Sequence, residues 1–267
     1  MNSNNIDQEK RTDSQSISRR DALKLTAAAM AGALIPNLRA AAALIEEVAG
    51  GGTRKTIVSP KAFVYAELQI SVPFGQAPWE AINKTLLLQP GLLNMTWLAG
   101  TGNNSLGGIY VFDSIENARK FVLGYLPDQA KNLGVAQTTR LFDATSVADA
   151  CRDMNSAHFG HRLDHKPGAF VYTEVQVSVP FDKFPWRERN RVLKKQPGLL
   201  SKTWLSGLHT HTLGGIDAFD TIENARKYAL DDFPHIAGKL NAAFYTRVFN
   251  AGVVESASRQ MRSPFFS

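Results

Sequence analysis

Ala62-Phe63-Val64-Tyr65-Ala66-Glu67-Leu68-Gln69 and Ala169-Phe170-Val171-Tyr172-Thr173-Glu174-Val175-Gln176 are one segment written twice, 107 residues apart. In the first copy Val64, Leu68, Ile70 and Val72 fall on one face, and Phe63, Tyr65, Glu67 and Gln69 on the other, which is the period-two pattern of a strand. Pro73 ends the pattern. Extended outward at the same offset, residues 62–144 overlay residues 169–251 without a gap and with 44 identities in 83 positions. A period this long, present twice, indicates two tandem domains and not a solenoid.

Within each unit the signals alternate in a fixed order. After the first strand, Pro78 stands where a helix begins, and Trp79, Ile82 and Leu86 follow at helical spacing until Pro90-Gly91 stops the run. Leu92 to Leu98 and Leu106 to Phe112 read as two strands across a Gly- and Asn-rich loop. Ser114 caps a second helix with Glu116 in its first turn, Gly134 breaks the chain, and Gln137 to Phe142 forms a last strand. The order is βαββαβ, twice, so the expected fold is α+β with two ferredoxin-like units. Such a unit leaves one sheet face bare, and two in one chain bury both bare faces by closing into an eight-stranded barrel with helices outside. The domain plan is then a leader at 1–42, a tether at 43–61, a repeat at 62–144, a connector at 145–168, a repeat at 169–251 and a tail at 252–267.

If the apolar face of the first strand meets the helices, its polar face points into the barrel. That places Tyr65, Glu67 and Gln69, with Tyr172, Glu174 and Gln176, around an interior pocket, because burying such groups unpaired costs roughly 1–3 kcal/mol each. Counting faces along the other strands adds Met95, Trp97, Tyr110 and Arg140, and in the second unit Lys202, Trp204, Asp217, Phe219 and Arg247. Glu67 with Arg140 and Glu174 with Arg247 are expected as ion pairs between neighbouring strands. Lys202, Trp204, Asp217, Glu174 and Tyr172 are expected to converge on the principal pocket, with Glu174, Lys202, Asp217 and Glu67 as the catalytic candidates.

The whole chain has 267 residues, 44% hydrophobic and 20% charged, with a net charge of +6. The basic residues form no long run, which excludes a nucleic-acid footprint. One cysteine, Cys151, excludes an intrachain disulfide. Ser18-Arg19-Arg20-Asp21-Ala22-Leu23-Lys24, the short apolar stretch Leu25 to Ile35 and the small residues Ala40-Ala41-Ala42 resemble a twin-arginine export signal. The expectation is delivery to the periplasm by the twin-arginine machinery, with no stable membrane span after processing.

Pro197-Gly198-Leu199-Leu200, Lys202-x-Trp204, Leu213-Gly214-Gly215 and Phe219-Asp220 ahead of Glu223-Asn224-Ala225 resemble the YdhR-like monooxygenase family of the dimeric α+β barrel superfamily. The resemblance covers both repeats and implies a barrel made by pairing single units. It also implies a cofactor-independent oxygenase that takes O2 and a small aromatic or enolisable molecule. The repeats depart from each other at the family's own positions: the first has Met95 where the second keeps the family's Lys202, and the second has Asp217 where the first keeps the family's Tyr110. No cofactor is expected on this reading. The alternatives are a haem protein with His235 as ligand, a divalent metal held by His209 and His211 or by His158, His161 and His165, and a binding module without chemistry.

Overall fold

The computed structural model describes residues 58–267; the segment read as an export signal and most of the expected tether lie outside the described residues. Strand β1 (Ala62–Gln69) is followed by helix α1 (Trp79–Leu86), β2 (Leu92–Ala99), β3 (Ser105–Phe112), α2 (Ile115–Lys120), α3 (Leu126–Leu133) and β4 (Gln137–Asp143). A single π turn, Phe121–Tyr125, joins α2 to α3. The second repeat reproduces this order with β5 (Ala169–Gln176), α5 (Trp186–Leu193), β6 (Leu199–Gly207), β7 (Thr212–Phe219), α6 (Ile222–Lys227), α7 (Phe233–Lys239) and β8 (Phe244–Asn250). Between the repeats lies α4 (Ala148–Asp153), and α8 (Glu255–Gln260) follows the second. β1 stops at Gln69, three residues before the sequence pattern does, because the chain turns away ahead of Pro73.

All eight strands form one antiparallel sheet in the order β2-β3-β1-β4-β6-β7-β5-β8. The first seam pairs Phe142 with Gly207 and Asp143 with Ser206, and a bridge between Gly100 and Phe249 brings the two ends of that order together. The sheet is thus a closed α+β barrel with the helices outside, its two seams short: two residue pairs between β4 and β6, and one bridge between Gly100 and Phe249. Phe63, Phe142, Phe170 and Phe249 are fully buried, and Tyr65 stacks on Tyr172 with ring centroids 3.8 Å apart and planes 6° from parallel. The two repeats therefore meet through the barrel-facing residues of β1 and β5.

Residues 145–160 and 252–267 extend the correspondence at the same offset. Val147, Ala150, Met154 and Ser156 match Val254, Ala257, Met261 and Ser263, and Asn155 and Arg262 share a left-handed backbone at φ 54° and 59°. Each arm lies on the other repeat. From the first arm, Met154 accepts a hydrogen bond from the Lys202 amide at 3.1 Å and Cys151 Sγ accepts one from the Trp204 amide. From the second, Met261 accepts from the Met95 amide at 3.1 Å and Ser258 Oγ from the Trp97 amide at 3.0 Å. Each arm ends in aromatic rings at the barrel core: Phe159 beside Phe63, and Phe265 and Phe266 beside Phe170. His158 takes the place that Phe265 holds in the other arm, and burial pushes its imidazole down to about 3.

Ending the chain after Asn250 removes Val254, Met261, Phe265 and Phe266, all buried. At about 1.5–3 kcal/mol per side chain, this loss is comparable to the whole stability of a typical domain, about 5–15 kcal/mol. The truncated chain is expected to show no cooperative melting transition in calorimetry, although both βαββαβ units remain intact.

Candidate functional site

The strand registers separate the expected site residues onto two sides of the sheet. Directly opposed residues in an antiparallel pair share a face. Tyr65 opposes Arg140, and Tyr172 opposes Arg247, so these four lie on the barrel side with Glu67 and Glu174. Trp97 opposes Gly108 and Met95 opposes Tyr110, which itself opposes Val64, so Met95, Trp97 and Tyr110 lie on the helix side. Lys202 opposes Asp217, Trp204 opposes Gly215 and Phe219 opposes Ala169, so Lys202, Trp204, Asp217 and Phe219 lie on the helix side too. The expected convergence of Lys202, Trp204 and Asp217 with Glu174 and Tyr172 is thereby overturned. Every residue of β3 and β7 is buried, so no polar alternation marks their phase. A register shift near the start of β2 and β6 moves their faces by one residue.

On the barrel side the ion pairs cross between repeats instead of staying within them. Arg247 pairs with Glu67, and Arg140 Nε donates to Glu174 at 3.1 Å. Tyr65 Oη donates to Glu67 at 2.6 Å and Tyr172 Oη to Glu174 at 2.7 Å. Burial works to raise the Glu67 carboxyl, yet hydrogen bonds from Tyr65, Ser105 and Arg247 outweigh it and hold the group below its ordinary value. Gln69 and Gln176 are exposed at the rim, not inside. This side of the sheet is occupied by its own side chains around the stacked tyrosines. A cavity of about 560 Å³, larger and slightly more open than the one on the helix side, lies at the seam beside Arg140, Glu174 and Gln176.

The helix side of the second repeat contains a cavity of about 370 Å³ between the sheet and helices α5 and α7. Its walls are Val175, Phe184, Leu193, Trp204, Leu213, Phe233 and Ile236, and its polar lining is Lys202, Tyr228, Arg189 and Glu188. Lys202 is 2% exposed and Asp217 0%, and Lys202 Nζ donates to Asp217 Oδ1 at 2.8 Å. The ammonium also sits 4.5 Å over the Trp204 ring. An ammonium has three donors, so Asp217 uses one of them and the others are free to meet a ligand. Gly215 makes room for this arrangement, since a Cβ there would stand 2.2 Å from Lys202 Nζ. Asp217 Oδ2 is buried without a hydrogen-bond partner. Burial raises the Asp217 carboxyl despite Lys202 and Arg189, and raises the Tyr228 phenol as well.

Trp204 is held from behind. Its Nε1 donates to Asn190 Oδ1 at 2.9 Å, and Asn190 Nδ2 donates to Ala150 O and Asp153 Oδ2 in the first arm. Trp97, Asn83 and Ala257 repeat the device in the first half, so it supports the fold of both repeats. The matching cavity of the first repeat is nevertheless reduced to about 20 Å³. Where the second repeat has Lys202, Asp217, Arg189 and Tyr228, the first has Met95, Tyr110, Ile82 and Phe121. At these four positions the first repeat has apolar or aromatic packing and the second a polar group. Arg189 and Tyr228 escaped the sequence reading, although their mismatch with Ile82 and Phe121 in the repeat overlay is the signal that identifies them.

The histidines take no part in this cavity. No His, Cys or Met lines it, and His235 is exposed on α7, so the donor set does not suit a haem with a histidine ligand. His209, His211, His161 and His165 are exposed, whereas His158 is buried with Nδ1 3.0 Å from Thr203 Oγ1. Among the described residues no three His, Cys, Asp or Glu side chains are grouped as a metal site, and no helix is long and apolar enough to cross a membrane.

Fold and site together define a two-repeat α+β barrel with a ligand-sized cavity in one repeat. No protein-family model matches the chain, and no curated protein is similar to it in sequence. Among solved structures, an anthrone oxidase-like protein matches 72% of this chain and 91% of its own, with 14% identity and a TM-score of 0.44. A ferredoxin-fold protein from Listeria monocytogenes, related to antibiotic biosynthesis monooxygenases, matches 73% of this chain and 98% of its own, with 8% identity and a TM-score of 0.37. A variant chlorite dismutase from Candidatus Nitrospira defluvii matches 77% and 100%, with 8% identity and a TM-score of 0.42. Matches at this level carry no argument about chemistry, which rests on the cavity itself.

Proposed function

We propose that this protein is an exported, cofactor-independent oxygenase that oxidises a small aromatic or enolisable molecule in the second-repeat cavity. The observation that carries the reading is a buried Lys202–Asp217 pair at the wall of a chiefly apolar chamber that only one repeat keeps open. Such a chamber has chiefly apolar walls, and against them a charge held in place acts more strongly on a bound molecule than it would in solvent. Asp217 stands behind Lys202 with its carboxyl raised, so it takes a proton from the Lys202 ammonium, and the Lys202 amine, which lines the cavity, takes one in turn from an activated CH2 of the substrate. The free Lys202 donors hold the resulting enolate oxygen. The electron-rich anion then reduces O2, one oxygen atom is retained as a new carbonyl, and the other leaves as water. The oxidant is O2 and the reductant is the substrate, so no cofactor enters the balance. Glu67 and Glu174 stand on the other side of the sheet and have no place in this chemistry.

Oxygen uptake by the purified mature protein with a panel of anthrones and quinols tests the reading. One O2 consumed per substrate, at least a hundredfold above the buffer rate, is the expected result. Saturable binding of the panel with no uptake above buffer replaces the oxygenase with a non-catalytic binding module.

The export half of the proposal rests on Arg19-Arg20 ahead of the Ala-rich stretch. Changing both arginines to lysine is expected to leave the unprocessed precursor in the cytoplasm, as cell fractionation would show. Unchanged periplasmic delivery refutes the twin-arginine route.

A further inference from the structure

We infer that the ligand of the second-repeat cavity is an organic anion and that Arg189 selects it for its charge. The inference rests on the reading of the cavity as the ligand site and adds the substrate's charge class. Three observations carry it. First, the cavity lining has Lys202 and Arg189, and Lys202 is countered by Asp217 behind it, so the positive charge of Arg189 is left without a buried counter-charge. Among the described residues Arg189 makes no ion pair with any carboxylate. A half-buried guanidinium in apolar walls is stabilised by whatever anion completes the set.

Second, the excess appears only where the cavity is open. The first repeat has Ile82 at the place of Arg189, and its chamber is filled. Third, the same asymmetry extends to the surface of the entrance helix. Residues 186–196 carry Arg187, Arg189, Arg191, Lys194 and Lys195 against Glu188 alone, whereas residues 79–89 carry Lys84 against Glu80. Lys239 adds a further cation at the rim, beside exposed Val192 and Leu240. Glu188 also lines the mouth, but it is exposed and its field is screened by solvent. A basic helix at the mouth of an apolar pocket raises the local concentration of anions and their entry rate.

The test uses two fluorescent probes that share one body: anilinonaphthalene sulfonate, an anion, and phenylnaphthylamine, which lacks the sulfonate. The full chain is expected to bind the anion at least tenfold more tightly. In Arg189→Ile, which installs the residue the first repeat uses, that preference is expected to vanish while neutral-probe affinity and the melting temperature hold. Arg191→Gln/Lys195→Gln, on and just after the same helix but away from the lining, is expected to keep the preference and to slow anion association at low salt. Equal binding of both probes by the parent overturns the anion inference and leaves the cavity reading intact. Binding of neither probe overturns both. A preference that survives in Arg189→Ile, or that disappears in Arg191→Gln/Lys195→Gln, assigns it to the general surface and overturns the role of Arg189.

Discussion

Lys202→Met is expected to lower the unfolding free energy by about 3 kcal/mol at neutral pH, because it strands the Asp217 carboxylate in a site that water does not reach. For a folded part of roughly this size that is a fall in melting temperature of about 6–12 °C. Lys202→Met/Asp217→Tyr is expected to recover most of that loss, since Met95 and Tyr110 already pack side by side at the same register in the first repeat. Both variants are expected to lose ligand binding in calorimetry, and Met95→Lys is expected to gain none. The double variant separates the two roles of the pair. If it melts like the parent and still binds ligand, the pair is structural and the cavity assignment fails.

Arg247→Met is expected to cost about 3–5 kcal/mol at neutral pH, and Arg140→Met less than about 1 kcal/mol. The two pairs are equivalent by repeat but not by environment. Glu67 is 2% exposed and Arg247 24%, whereas Arg140 is 47% exposed and Glu174 15%. The pH dependence distinguishes them further. With Arg247 present, the Glu67 carboxyl is held below its unfolded value, so it contributes stability above about pH 4.3 that is lost as pH falls through the folded value. Without Arg247, only the hydrogen bonds from Tyr65 and Ser105 remain to oppose burial, so the carboxyl rises relative to the parent and the stability gained above about pH 4.3 shrinks. Urea midpoints at acid and neutral pH should therefore converge for parent and variant as pH is lowered. Parallel curves would show that Arg247 does not control Glu67.

The barrel was legible because β1 and β5 have one polar and one apolar side, and because the overlay of the repeats admits no gap. Tyr65, Glu67, Arg140 and their counterparts were placed on the correct face for that reason. β3 and β7 are buried on both sides, and Leu106-Gly107-Gly108-Ile109 offers no contrast from which a phase could be read. The bulge near Leu92 and Leu199 then carried Trp97, Lys202 and Trp204 to the helix side. The crossing of the ion pairs was hidden for another reason: Arg140 has Glu67 close in its own sheet and Glu174 across the barrel, and only closure decides between them. The arms were missed because their match is carried by small buried residues and by two left-handed turns, with few identities to draw attention.

The covalent joining of the two halves has a consequence for how such a pocket can arise. In a pair of identical subunits every substitution is made twice, so a buried lysine and aspartate would have to be accommodated in both chambers and their desolvation borne in each. Here the change is made once. The first half keeps Met95 and Tyr110 in a filled interior and contributes rigidity, and its arm holds Trp204 in position for the other half. A linked duplicate is therefore free of the symmetry that would make a polar interior costly: one half can serve as a scaffold while the other carries the open, charged chamber.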